Sequence, residues 1–334
     1  MNIFTPGDNI SASKVNENFS LLDSHTYGDG SDGDITISSN TSLTRDMFYN
    51  NLTVNDGIIL DTNGYRLYVN GILNTIGTGK LANNGGNGGN GGNGRSNGGG
   101  TIAGGSAGSA ANISATLPDS VPGTAAASAT TGGSADGPNG IQGVAKLLAI
   151  INQAGSASGR GGGDGASYTS DGGSAAAGGI ITSESVNKLR TPFQTQMPYE
   201  ISIALETITL IGVSSSGAGG GHYTGSSASR SATGGGSGAS GGIIVIYARI
   251  ITNLNVEAIG GNGGNGGAGG DYGGGGGGGG GNGGLIIIFY NSATTITSSV
   301  LGGAGGALGT GTGTQATAGS NGSAGAVREI SNIN

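Results

Sequence analysis

Gly242-Ile243-Ile244-Val245-Ile246-Tyr247, running on through Leu254-Asn255-Val256 into Ile259-Gly260-Gly261-Asn262-Gly263-Gly264-Asn265-Gly266-Gly267-Ala268-Gly269-Gly270-Asp271, decides the fold. The same order returns downstream. Gly284-Leu285-Ile286-Ile287-Ile288-Phe289-Tyr290 leads through Ile296-Thr297 into Leu301-Gly302-Gly303-Ala304-Gly305-Gly306-Ala307. The leading glycine precedes the first residue of the X-Gly-Gly run by the same interval in both, 259 − 242 = 17 and 301 − 284 = 17. An upstream copy runs Gly64-Tyr65-Arg66-Leu67-Tyr68-Val69, through Ile72-Leu73 and Lys80-Leu81, into Asn84-Gly85-Gly86-Asn87-Gly88-Gly89-Asn90-Gly91-Gly92-Asn93. The unit is a glycine, an apolar strand, a turn, a second strand and an X-Gly-Gly run. A supersecondary unit repeated in this way stacks on its neighbours to bury a continuous core.

A period of three with paired glycines has a physical meaning. A polyproline-II-type helix has three residues per turn, rises about 3.1 Å per residue and makes no internal hydrogen bonds. Asn84, Asn87, Asn90 and Asn93 then fall on one edge, and the glycine edges let neighbouring chains approach closely. The main-chain N–H and C=O groups must find partners outside the helix, so such helices are expected to pack side by side as polyglycine II. Ordering glycine costs roughly 0.5–1 kcal/mol more than ordering alanine, and over dozens of glycines on the order of tens of kcal/mol. Only a cooperative lattice or burial in an assembly offsets that, which points to a structural role.

Working outward, Ile35-Thr36-Ile37, Leu52-Thr53-Val54 and Gly57-Ile58-Ile59-Leu60 are short apolar runs broken by Asn-Asp-Gly and Thr-Asn-Gly turns, the pattern of short stacked strands. The expected fold is mainly β: parallel β-solenoid rungs with polyglycine-II helices packed laterally and a short N-terminal helix. That helix follows from Ser11 or Ser13 as a cap and Val15, Phe19 and Leu22 at helical spacing. Four regions result. Residues 1–26 form a helical attachment segment, and 27–93 the first β region with its X-Gly-Gly run. Residues 94–241 hold Gly/Ala/Ser-rich excursions with a helix at 141–154 (Val144, Leu147, Leu148 and Ile151 on one face) and a strand pair at 201–211. Residues 242–334 hold the two further repeats.

The opening Phe4-Thr5-Pro6-Gly7-Asp8-Asn9-Ile10-Ser11-Ala12-Ser13-Lys14-Val15-Asn16-Glu17-Asn18-Phe19 resembles the start of many phage tail-fibre and baseplate-associated proteins, and the X-Gly-Gly runs resemble the tip adhesins of T-even-type tail fibres. The first likeness covers about 20 residues and the second is compositional. The alternation of glycine runs with clear β repeats departs from those adhesins. The resemblance implies a virion location and contact with a host surface glycan or outer-membrane protein. It also implies docking to other virion proteins, for which Phe4, Val15, Phe19 and Leu22 are the candidate contacts. Self-association is a further expectation.

Composition narrows the alternatives. The 334 residues include 79 Gly, no Cys and no Trp, and the net charge is −7. Twelve scattered Lys and Arg do not make a phosphate-tracking surface, so nucleic acid is not an expected partner. No stretch reaches the apolar length of a membrane span, and the N-terminus lacks the pattern of a secretory signal. The expectation is assembly in a host cytoplasm, release by lysis, and residence in a virion.

Enzymatic signals are thin, and neither an enzyme nor a cofactor is expected. Asp29, Asp32 and Asp34 in Asp29-Gly30-Ser31-Asp32-Gly33-Asp34 could offer carboxylates to Ca²⁺, but the spacing lacks the later bidentate Glu, and Asp and Gly also make turns. His25 and His222 share no ligand spacing. Glu200, Glu206 and Glu257 are the glycosidase candidates, which would have to meet as a pair. Tyr168, His222, Tyr223 and Tyr272, with Arg95, Arg160 and Arg230, stand alone in glycine-rich surroundings. Tyr and Arg are enriched at binding hot spots, so the four named first are the candidate receptor contacts; gap-filling between glycine helices is the alternative. The expected function is a structural and adhesive phage tail protein. The alternatives are an architectural decoration or baseplate subunit, a polysaccharide depolymerase and an ice-binding protein.

Overall fold

The computed structural model describes residues 26–94, 102–111, 117, 120, 122–126, 128, 144–146, 180–182, 232–269, 273–311 and 316–331. The chain is mainly β, with thirteen strands among the described residues: β1 (Ile35–Ile37), β2 (Thr41–Ser42), β3 (Met47–Tyr49), β4 (Leu52–Val54), β5 (Ile59–Asp61), β6 (Leu67–Thr75), β7 (Lys80–Ala82), β8 (Val144–Lys146), β9 (Ile180–Thr182), β10 (Ile243–Glu257), β11 (Leu285–Ala293), β12 (Ile296–Ser299) and β13 (Ala326–Ser331). Eleven of them join one sheet, and each pairing among the described residues is parallel.

The registers sort that sheet into three columns. In the first, β3, β6, β10, β11 and β13 follow one another, with Phe48, Tyr68, Tyr247, Phe289 and Ile330 aligned. In the second, β1 and β4 lead to the latter part of β6 and then to Ile250 and Ile251 of β10. The third runs β2, β5, β7, the end of β10 and β12. Alternation decides which side chains meet. Leu67, Val69, Ile246 and Ile288 from the first column, Leu52, Val54 and Leu73 from the second, and Leu60, Leu81 and Val256 from the third share one buried core.

The other face of the first column is covered too. Ile243, Val245, Leu285 and Ile287 pack there with Tyr27 and Leu117. This is why Ile243-Ile244-Val245-Ile246 and Leu285-Ile286-Ile287-Ile288 read as continuous apolar runs: both faces of these strands are buried. On that face Phe48, Tyr68, Tyr247 and Phe289 stack, with centroids 4.8, 4.8 and 4.6 Å apart and rings within 10° of parallel. Parallel in-register pairing repeats the ring at the strand spacing, about 4.8 Å.

One helix is corrected to a strand. Where helical spacing predicts a helix over 141–154, Val144–Lys146 is β8 and pairs with Ile180–Thr182. A short apolar run does not distinguish helix from strand by its period, and pairing with the β-branched Ile180-Ile181-Thr182 decides it. The segment 1–25 and the strand pair at 201–211 lie outside the described residues.

Candidate functional site

The X-Gly-Gly runs leave the columns as extended rows. Three outward rows, 84–94, 259–269 and 301–311, lie side by side and point the same way. Gly85, Gly88, Gly91 and Gly94 donate to the carbonyls of Ile259, Asn262, Asn265 and Ala268, at 2.8–2.9 Å. The next step repeats the rule: Gly260, Gly263, Gly266 and Gly269 donate to Leu301, Ala304, Ala307 and Thr310. Return rows, 102–110, 232–241, 273–283 and 316–325, run the opposite way and fill the spaces between. The second glycine of each pair reaches them: Gly86, Gly89 and Gly92 donate to Ser109, Ser106 and Ala103, and Gly261, Gly264 and Gly267 to Ala239, Gly236 and Thr233. The return rows bond to one another in parallel, as in Gly235 to Gly276 and Gly238 to Gly279.

Asparagine side chains complete the lattice. Oδ1 of Asn84, Asn87, Asn90 and Asn93 accepts the N–H of Ile259, Asn262, Asn265 and Ala268 (2.7–2.9 Å). Asn262 and Asn265 do the same for Ala304 and Ala307. Each such residue therefore has both its N–H and its C=O bonded to the row before it. The three-residue spacing placed these asparagines on one edge; their bonds to the next row were missed. The constant interval between the runs and their strands was the signal that could have found them.

Glycine is required here by distance. A Cβ on Gly264 would collide with the Gly89 carbonyl, and one on Gly278 with that of Gly236. The rows thus form layers of main chain against main chain. Beside the strands, the first outward row is tied down by Glu257, which pairs with Lys80 and accepts from Asn84 Nδ2, both at 2.7 Å.

The course of the rows brings the described flanks of four connecting segments to one end. Row 84–94 ends at Gly94, level with Ala268, and its return begins at Ile102 and Ala103, level with Gly92. Row 259–269 ends at Gly269, level with Thr310, and the chain comes back through Gly275, which donates to Gly267. Row 301–311 returns through Thr317, which accepts from Gly277. Residues 122–126, lying against the first return row through Gly123 to Gly108 and Ala126 to Gly105, run outward as well, and the chain re-enters at Thr233, level with Gly92. The flanks of 95–101, 127–231, 270–272 and 312–315 therefore lie at the end of the layers farthest from the columns.

Arg95, Arg160, Tyr168, His222, Tyr223, Arg230 and Tyr272 all fall in those connecting segments, outside the described residues. Glu200 and Glu206 fall there too, and His25, with Phe4, Val15, Phe19 and Leu22 of the opening segment, also lies outside the described residues. The acidic cluster is described. Asp29 accepts the N–H of Ser31 at 3.0 Å, and hydrogen bonding from the Ser31 side chain, then from its main chain, lowers the Asp29 pKa below the ordinary carboxylate value. Asp32 pairs with Arg45 and accepts the N–H of Phe48 at 2.7 Å; the guanidinium lowers its pKa too. Asp34 accepts from the Asn51 main chain and from the amides of Asn50 and Asn51. Asp32 and Asp34 tie the turn to the neighbouring segment 45–51, Asp29 bonds within the turn, and no group of three or more acidic or histidine side chains among the described residues could hold a metal ion.

No helix among the described residues is long and apolar enough to cross a membrane. Comparison with protein-family models, curated proteins and solved structures returned no match.

Proposed function

We propose that the chain is a structural and adhesive virion protein of a phage tail fibre or tail tip. In this reading the three strand columns are the faces of a parallel β-solenoid, and the outward and return rows are polyglycine-II helices packed laterally on it. The three-residue recurrence of the inter-row bonds supports the helical reading, since only a threefold helix presents the same edge at every third residue. One observation carries the function: the described flanks of four connecting segments lie together at the end of the rows farthest from the repetitive strand body. Binding residues are disproportionately found on loops held by a rigid scaffold, and the connecting segments contain Tyr168, His222, Tyr223 and Tyr272. Their target would be a host surface glycan or an outer-membrane protein, with residues 1–26 docking to another virion protein.

The test is adsorption. Alanine replacement of Tyr168, His222, Tyr223 and Tyr272 together is expected to cut binding of the purified chain to susceptible cells by on the order of 100-fold, as for loss of hot-spot residues, with an unchanged thermal midpoint. Unchanged adsorption by a folded variant would remove the adhesive reading. The architectural alternative, a decoration or baseplate subunit, draws on a different observation: the interior rows satisfy their main-chain groups among themselves and call for no ligand. It predicts that antibodies against the far end leave adsorption unaffected.

A further inference from the structure

The outward rows obey a directional rule, and the first row breaks it on one side. In the second and third rows, the N–H of Asn262, Asn265, Ala304 and Ala307 is met by an asparagine Oδ1 of the row before, and their C=O by a glycine N–H of that same row. Among the described residues no outward row precedes row 84–94. The N–H groups of Asn87, Asn90 and Asn93 and the C=O groups of Asn84, Asn87 and Asn90 make no hydrogen bond among the described residues, and all four asparagines are exposed. An edge of unpaired main-chain donors and acceptors is a template for another chain.

We propose that this edge joins a second copy of the chain across a twofold axis. The edge reads the same in both directions, because 84 + 93 = 87 + 90. Run antiparallel to its copy, Asn93 N–H faces Asn84 C=O, Asn90 faces Asn87 and Asn87 faces Asn90, each contact occurring twice. Antiparallel pairing of rows is already the rule between outward and return rows. The opposite edge excludes open head-to-tail growth. Row 301–311 carries Ala304 and Ala307 where the earlier rows carry asparagine, so it offers no Oδ1 to the N–H groups of a following row. A head-to-tail contact would leave those donors unmet, whereas the twofold contact satisfies both sides and closes. The contact depends only on this edge and stands whether or not the chain is adhesive.

Proline and alanine separate the main chain from the side chain. Proline suits the extended threefold conformation but removes the N–H. Alanine keeps the N–H and loses Oδ1. Sedimentation of the full-length chain is expected to show a dimer for the parent and for N87A/N90A. For N87P/N90P, the dissociation constant should rise by on the order of 100-fold or more, given the several hydrogen bonds lost. Hydrogen exchange on the parent gives a second reading that needs no variant: the amides of Asn87, Asn90 and Asn93 should be protected when concentrated and exchange freely on dilution. A monomeric parent, a dimeric proline variant, a monomeric but folded alanine variant, or exchange independent of concentration would each overturn the proposal.

Discussion

Gly264 and Gly33 are both glycine for reasons a substitution can separate. Gly264 lies against the Gly89 carbonyl, so an alanine must push two rows apart. Gly33 has φ of +75° and open space around its missing Cβ. G264A is expected to cost about 1–3 kcal/mol, the range for overpacking. G33A should cost about 1–2 kcal/mol through backbone conformation alone. Urea melts measure both costs, and native-state hydrogen exchange should show only the first disturbing the amides of row 84–94. Two aspartates give opposite pH signatures. The Asp32 pKa is lowered, chiefly by Arg45, so its stabilisation is present above the ordinary value of 3.8 and is lost as pH falls through its lowered one. D32N should be less stable than the parent at pH 7, with the gap closing in acid. Burial raises the Asp61 pKa, so its ionised form is disfavoured in the folded chain at neutral pH. D61N keeps an oxygen for the Asn63 N–H and should match or exceed the parent at pH 7. Thermal melts across the acid range check both.

At the level of elements, the aromatic stack ties four strands of the first column together. Tyr247 stacks on Tyr68 and Phe289 and is only 6% exposed. Y247A should cost about 3–5 kcal/mol, the range for truncating a buried aromatic, and reduce the near-ultraviolet circular dichroism of the stack; a loss under 1 kcal/mol would show that the rings merely coexist. The strands and glycine runs were legible because their periods, two and three, are written directly in the residues. The first repeat was legible only approximately. Its leading Gly64 matches Gly242 in sequence, yet Leu67 pairs with Ile246, one residue out of step, and the register shifts further between Ala248 and Ile250 and between Ile251 and Asn253. Asn70 and Gly71 form the extra step in β6, and Thr252 the compensating one in β10. The aromatic stack was hidden for the same reason: Phe48, Tyr68, Tyr247 and Phe289 align only once the registers are known. Val144–Lys146 failed because its partner, Ile180–Thr182, is 36 residues away (180 − 144), beyond what local periodicity reports.

Across the whole molecule, strand columns and glycine rows are one hydrogen-bonded body. Asn83 donates to Glu257, and Gly85, two residues on, donates to Ile259, so the ladder passes from strand to row without a break. Amides of the interior rows, such as Gly264 and Gly278, are therefore expected to exchange as slowly as those of Ile246 and Ile288, and a denaturant series should open both sets together. Fast exchange in the rows beside slow exchange in the strands would show instead two bodies of separate stability.

From Ile243 to Leu285 the chain advances 42 residues (285 − 243) and returns to an equivalent position one strand further on. Length is therefore counted in whole units. Tandem duplication of 243–284 would insert a slab about 4.8 Å thick, one strand spacing, whose two margins match the neighbours they meet. Each added slab also carries its own connecting segment, so a longer chain of this kind is automatically one with more sites for variation.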